Sequence, residues 1–165
     1  IMIEAPEEAV KKIHKRKELK IKFEVDVDPP LGFAVEARNL FLPIPFSVNT
    51  YAPADLFAGK MHAVLCRAWK NRVKGRDWYD LIWHVARGIP VHLSHLEIRM
   101  KQTGDIGEDV VLTPEYLTDM LMKKVSCTDF NLAVQDVERF LKDPAPLDLW
   151  SREYFQDVCT RIKCV

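Results

Sequence analysis

The chain has 165 residues, 48% hydrophobic and 29% charged, a globular composition that argues against disorder and suffices for one domain or two very small ones. Lysine plus arginine and aspartate plus glutamate balance at 24 each, so no global basic field points to nucleic acid and any such contact has to be a local patch. No apolar run approaches a membrane span, the N-terminus lacks the layout of a signal peptide, and Cys66, Cys127, Cys159 and Cys164 form no C-x-x-C pair. They read as reduced thiols of a cytoplasmic protein rather than as a disulfide framework or a zinc site.

Ala5 to about Glu18 reads as a helix, with Pro6 at its first position, acids in its first turn and lysines gathering toward its end. That basic run is a solvated helix end or a phosphate-binding patch. Leu19 to Asp28 alternates without a break, apolar on one face and charged on the other, which predicts a strand ended by Pro29-Pro30. Its charged face carries Lys20, Lys22, Glu24, Asp26 and Asp28, either a wet sheet face or carboxylates placed beside ammonium groups for metal and phosphate. Gly32 to Tyr51 continues with two further strands interrupted by Pro43 and Pro45, which imply edge positions or a bulge.

From Pro53 the pattern turns helical. A long helix is expected over Ala54–Asn71, with Gly59 in its interior signalling close approach of a backbone or a ligand beside Lys60. After a turn at Lys74-Gly75 a second helix is expected over Arg76–Arg87. Lys60 and Arg67, seven apart, project from nearly one line of the first helix, and Asp77 and Asp80, three apart, share a face of the second. The plain reading is two amphipathic helices with a wet face, Asp77 favoured by the helix dipole and His84 a packing residue. Gly88-Ile89-Pro90 ends that helix. His92, His95 and Glu97 raise a metal question that no H-E-x-x-H pattern supports, and the loop around Gly104 and Gly107 lacks the ligand order of a calcium loop. Helices are then expected over Pro114–Lys124, Phe130–Lys142 and, capped by Ser151, to about Ile162. The fold class is therefore α+β: a small antiparallel or mixed N-terminal sheet, residues 1–52, followed by a helical bundle, residues 53–165. No Walker P-loop, dinucleotide fingerprint or G-x-S-x-G occurs.

The succession K-F-E on a strand, A-G-K-M-H-A-V-L-C-R on a helix and K-G-R-D-W-Y-D-L on the next resembles the AbiEii/AbiGii toxin family of nucleotidyltransferases over about Leu19 to Trp83. Lys22 and Glu24 match that family's strand motif, Lys60 and Arg67 its helical lysine and arginine, and Arg76, Asp77 and Asp80 its arginine-aspartate motif. The family's opening glycine-serine and paired-aspartate motif is not in the chain, so the resemblance is to a C-terminal portion. It implies transfer of a nucleoside monophosphate from a nucleoside triphosphate to an acceptor hydroxyl, with Mg or Mn held by carboxylates. Glu24 would be the third carboxylate, or Asp26 in the other register. Lys60 would neutralise triphosphate charge with help from Arg67, Asp77 would orient Lys60 or act near the acceptor, and Arg76 and Asp80 would brace the helix. The resemblance also implies a toxin–antitoxin or phage-defence setting, a cognate antitoxin, and tRNA 3′ ends as the acceptor for some members. Without the aspartate pair the chain alone is expected to be inactive. The rival expectation is a non-catalytic module that grips an antitoxin, a partner subunit or RNA.

Overall fold

A computed structural model describes residue 25 and residues 27–67 and 72–165. The expected first helix, and Lys22, Glu24 and Asp26, lie outside the described residues. At the end of the expected Leu19–Asp28 strand, Val27 and Asp28 form a bend, and Val25 and Val27 are exposed.

Among the described residues, strands β1 (Val35–Leu40) and β2 (Phe46–Tyr51) form a two-stranded antiparallel sheet, registered from Val35 opposite Tyr51 to Leu40 opposite Phe46. Pro43 and Pro45 sit in the connecting loop, where a missing N–H costs the ladder nothing, rather than at a strand edge or a bulge. The hairpin is anchored at its base. The Asp55 carboxylate accepts from the Ala34 N–H at 2.8 Å and also bonds His92 Nδ1, while Ala52 N–H donates to the Ala34 carbonyl at 2.9 Å.

Among the described residues six α-helices follow: α1 (Pro53–Cys66), α2 (Gly75–Ala86), α3 (Leu93–Gln102), α4 (Pro114–Cys127), α5 (Phe130–Val137) and α6 (Arg152–Thr160). The architecture is α+β, as the sequence pattern predicts. Two helices are shorter than expected. Helix α1 stops at Cys66, with Arg67 already extended at φ −67° and ψ 119°, and α5 tightens into a 3-10 turn over Glu138–Phe140. Helix α3 was not anticipated at all. Its N-cap, His92, makes no side-chain capping bond, so the usual signal of a helix start is missing. The caps that were legible hold: Thr113 accepts from Tyr116 N–H and Ser151 from Tyr154 N–H, each over a first turn.

The core lies among the helices. Phe57 and Met61 of α1, Leu81 of α2, Leu96 and Met100 of α3 and Phe155 of α6 are fully out of water. Phe155 stacks on Phe130 with centroids 4.3 Å apart, and Trp78 meets both rings edge-on at 5.0 Å. The glycine that close packing demands is Gly75 rather than Gly59. A Cβ at Gly75 would stand 1.9 Å from the Ala133 carbonyl oxygen, so α2 and α5 touch backbone to backbone there. At Gly59 it would meet only the Arg99 guanidinium carbon at 3.9 Å, an ordinary contact. No helix among the described residues is long and apolar enough to cross a membrane.

Candidate nucleotide-binding site

Helices α1, α2 and α3 and the 3-10 turn after α5 enclose a cavity of about 670 Å³. Five of the residues expected from sequence to act together line it: Lys60, Arg67, Arg76, Asp77 and Asp80. The i, i+3 spacing puts both aspartates on the face of α2 turned toward α1. Lys60 reaches them from within α1. Arg67 does so from the first extended residue past its end, so the two cations do not share a helical line.

The pairing differs from the expected one. Of the two roles expected of Asp77, orienting Lys60 is not seen, since Asp77 bonds Arg67 instead. Lys60 Nζ donates to Asp80 Oδ2 at 2.7 Å, and Arg67 Nη1 spans both Asp77 carboxylate oxygens at 3.2 and 3.3 Å. Asp77 is buried at 6% exposure, in the first turn of α2 where the helix dipole also favours an acid. Arg67 is half exposed, so its bond to Asp77 fixes a cation that still faces the cavity. Asp55, the third carboxylate on the wall, is committed to the hairpin anchor.

Sequence patterns missed Arg99 because it comes from α3, the helix without a cap. It lines the same cavity, and its Nε is buried with no hydrogen-bond partner among the described residues. A buried guanidinium donor left unmatched is costly unless something arrives to accept from it. Among the described residues neither Arg76 nor Arg99 has a carboxylate partner, and Arg76 lies over the Phe140 ring, 4.8 Å from its centroid. Among the described residues, Lys60, Arg67, Arg76 and Arg99 face Asp55, Asp77 and Asp80 in a chain whose net charge is zero. Tyr51, Tyr79 and Phe140 add aromatic surface to the wall. Such a cavity suits an anion with a flat, apolar part.

Other polar groups do different work. His84 is buried, stacks on Phe57 at 4.5 Å and turns Nδ1 to the Asp80 carbonyl at 2.7 Å, which fits the expected packing role. Burial lowers its pKa and that of His95. His92, His95 and Glu97 do not converge. The Glu97 carboxylate binds Lys101 at 2.8 Å and the Leu112 N–H at 2.7 Å, and these bonds hold its pKa below the usual carboxylate range. No cysteine pairs with another, and burial pushes the Cys66 thiol up to about 12 and Cys159 up to about 11, far from thiolate nucleophiles.

Residues 3–159 match the family described as nucleotidyl transferase AbiEii toxin, type IV TA system. Neither a curated protein nor a solved structure matches the chain. With nearly the whole length covered by that match, the chain belongs to the AbiEii family of nucleotidyltransferase toxins of type IV toxin–antitoxin systems.

Proposed function

We propose that the α1–α2–α3 cavity binds the triphosphate of a nucleoside triphosphate, and that the chain contributes this phosphate-handling part to nucleotidyl transfer. In the reaction an acceptor hydroxyl oxygen bonds to the α-phosphorus, pyrophosphate leaves, and the hydroxyl proton passes to a base or solvent. Membership of the family brings with it a nucleotide substrate and a cognate antitoxin. The cytoplasm, which holds both triphosphates and the tRNA 3′ ends considered as acceptor, is the compartment this reading requires. The single observation that carries the reading is the convergence of Lys60, Arg67, Arg76 and Arg99 on one cavity in which Asp80 and Asp77 are already paired with Lys60 and Arg67. Lys60 and Arg67 are held in place by Asp80 and Asp77, so little side-chain entropy is lost when phosphate arrives. Arg99 offers an unsatisfied donor, and Phe140 with Tyr79 forms a surface on which a base stacks.

Nucleotidyltransferases generally use a divalent metal such as Mg or Mn. The described carboxylates of this cavity do not fit one, because Asp55, Asp77 and Asp80 are each engaged by a protein donor. The expected ligands Glu24 and Asp26 lie outside the described residues, as does Lys22, and their roles remain part of the proposal. In this reading residues 1–52 belong to the catalytic sheet and residues 53–165 form the helical domain. The polypeptide alone binds nucleotide but does not transfer it.

Calorimetric titration of the chain with a nucleoside triphosphate tests this directly. Arg99→Ala and Lys60→Ala are each expected to weaken binding by about tenfold to a hundredfold, the range for a charge-assisted hydrogen bond. Arg161→Ala, at an exposed i, i+4 pair remote from the cavity, serves as control. Affinity unchanged in both cavity variants would overturn the reading. Metal-dependent labelling of tRNA by this polypeptide alone would overturn its last clause.

A further inference from the structure

Helix α1 carries His62 and Cys66 four residues apart, one turn, and therefore side by side on one face. Neither lines the cavity that Lys60 faces. The turn after α3 brings Asp105 against them. His62 Nε2 lies 3.2 Å from Asp105 Oδ2 and 3.0 Å from Thr103 Oγ1, and one donor atom from each of His62, Cys66 and Asp105 lies within 4.8 Å of the others. The site is half-buried, the His62 and Asp105 side chains being 16% and 29% exposed, so an ion can enter and a water can stay.

Backbone geometry places Asp105 there, and the Thr103 hydroxyl also donates to its carboxylate. Gly104 has φ +74°, its N–H donates to the Lys101 carbonyl at 3.0 Å, and the Asp105 N–H reaches back to the Met100 carbonyl at 2.8 Å. This pair of bonds is the Schellman ending of α3, formed whatever the Asp105 side chain touches. A helix i, i+4 pair and a carboxylate on a fixed turn make a preorganised three-donor set. We propose that His62, Cys66 and Asp105 bind a first-row divalent ion of borderline softness, Zn²⁺ foremost, with a fourth tetrahedral position open to water.

One imidazole nitrogen, one sulfur and one carboxylate oxygen suit zinc, whereas magnesium takes oxygen donors in octahedral order and keeps its waters. Binding replaces the Cys66 thiol proton, which is released to solvent. The ion clasps the end of α3 to α1, the two helices that carry Arg99 and Lys60. The site stands independently of the nucleotide reading, since it uses none of the same residues.

The test uses the full chain, stripped with a chelator and titrated with Co²⁺. One ion per chain should bind and give the near-ultraviolet charge-transfer band of a cobalt–thiolate bond. Zn²⁺ should displace that band and raise the melting temperature, and excess Mg²⁺ should do neither. Cys66→Ser should abolish the band, His62→Ala should weaken Zn²⁺ binding by more than about tenfold, and Cys127→Ser, at an exposed thiol elsewhere, should change nothing. A wild-type chain without the thiolate band, or a band that survives Cys66→Ser, would show that the three side chains form only a hydrogen-bonded cluster.

Discussion

In the helices, Phe57, Met61, Leu81, Leu96 and Phe155 are wholly removed from water; in the loop joining β1 to β2, Phe41, Leu42 and Ile44 are 72%, 85% and 68% exposed. The helical body owns a closed core and stands on burial, worth about 2 kcal/mol for each large side chain. Among the described residues the two-stranded hairpin has no core of its own, and such a ribbon is marginal by itself. It keeps its place through backbone bonds at its base, through the Asp55 carboxylate and through Phe33, whose ring meets Tyr51 and His95. The cavity belongs to the stable region. Among the described residues, those that line it come, apart from Tyr51, from the helices or the turns between them. Site geometry and hairpin placement should therefore fail separately.

The largest separation is expected from Gly75→Ala. Its Cβ would collide with the Ala133 carbonyl and press on Val137, forcing α2 from α5 at the cost of about 3 kcal/mol. Chemical denaturation should show the whole helical body destabilised. An unchanged midpoint would mean that the two backbones do not touch. Asp55→Ala should have a smaller and more local effect, about 2 kcal/mol, because it strands the Ala34 N–H and frees His92. Amide exchange should quicken through residues 35–51 while the helices stay protected, and uniform quickening would erase the distinction between the regions.

The smallest effect concerns pH. His84 packs inside the helical body and His95 at its junction with the hairpin, where Phe33 meets it edge-on at 6.2 Å. Burial lowers both pKa values, so the folded chain keeps both rings neutral while the unfolded chain takes up protons near pH 6.5. Stability is therefore complete above about pH 6.5 and is lost as the pH falls from there toward the lowered folded values. Melting curves between pH 7.5 and 5.5 (~2 units across the ordinary histidine range) should show this decline. His84→Asn and His95→Asn should each flatten it, and a slope untouched by both would place the titration elsewhere.

What was legible in sequence was what local spacing fixes. Thr113 and Ser151 announce helix starts because a cap acts within one turn. Asp77 and Asp80 share a face because three residues make nearly a turn, and five of the expected site residues do meet in one cavity. The partners within that set were not legible. Lys60 takes Asp80 and Arg67 takes Asp77, and α1 ends at Cys66 with no glycine or proline next to it to announce the end. Arg99 stayed hidden because α3 lacks a capping side chain, so nothing in the local pattern marked its helix.

The sequence by itself determined the α+β class, most of the helices and the family motifs, since periodicity, caps and motif spacing are properties of neighbouring residues. Only the tertiary structure decided which glycine is obligatory, which ion pairs form, and which distant side chains join the site. Those depend on how close two helices approach. Gly75 against Ala133, Arg99 beside Gly59, and Asp105 against His62 and Cys66 are contacts between segments far apart in the chain, set by the packing of the whole core.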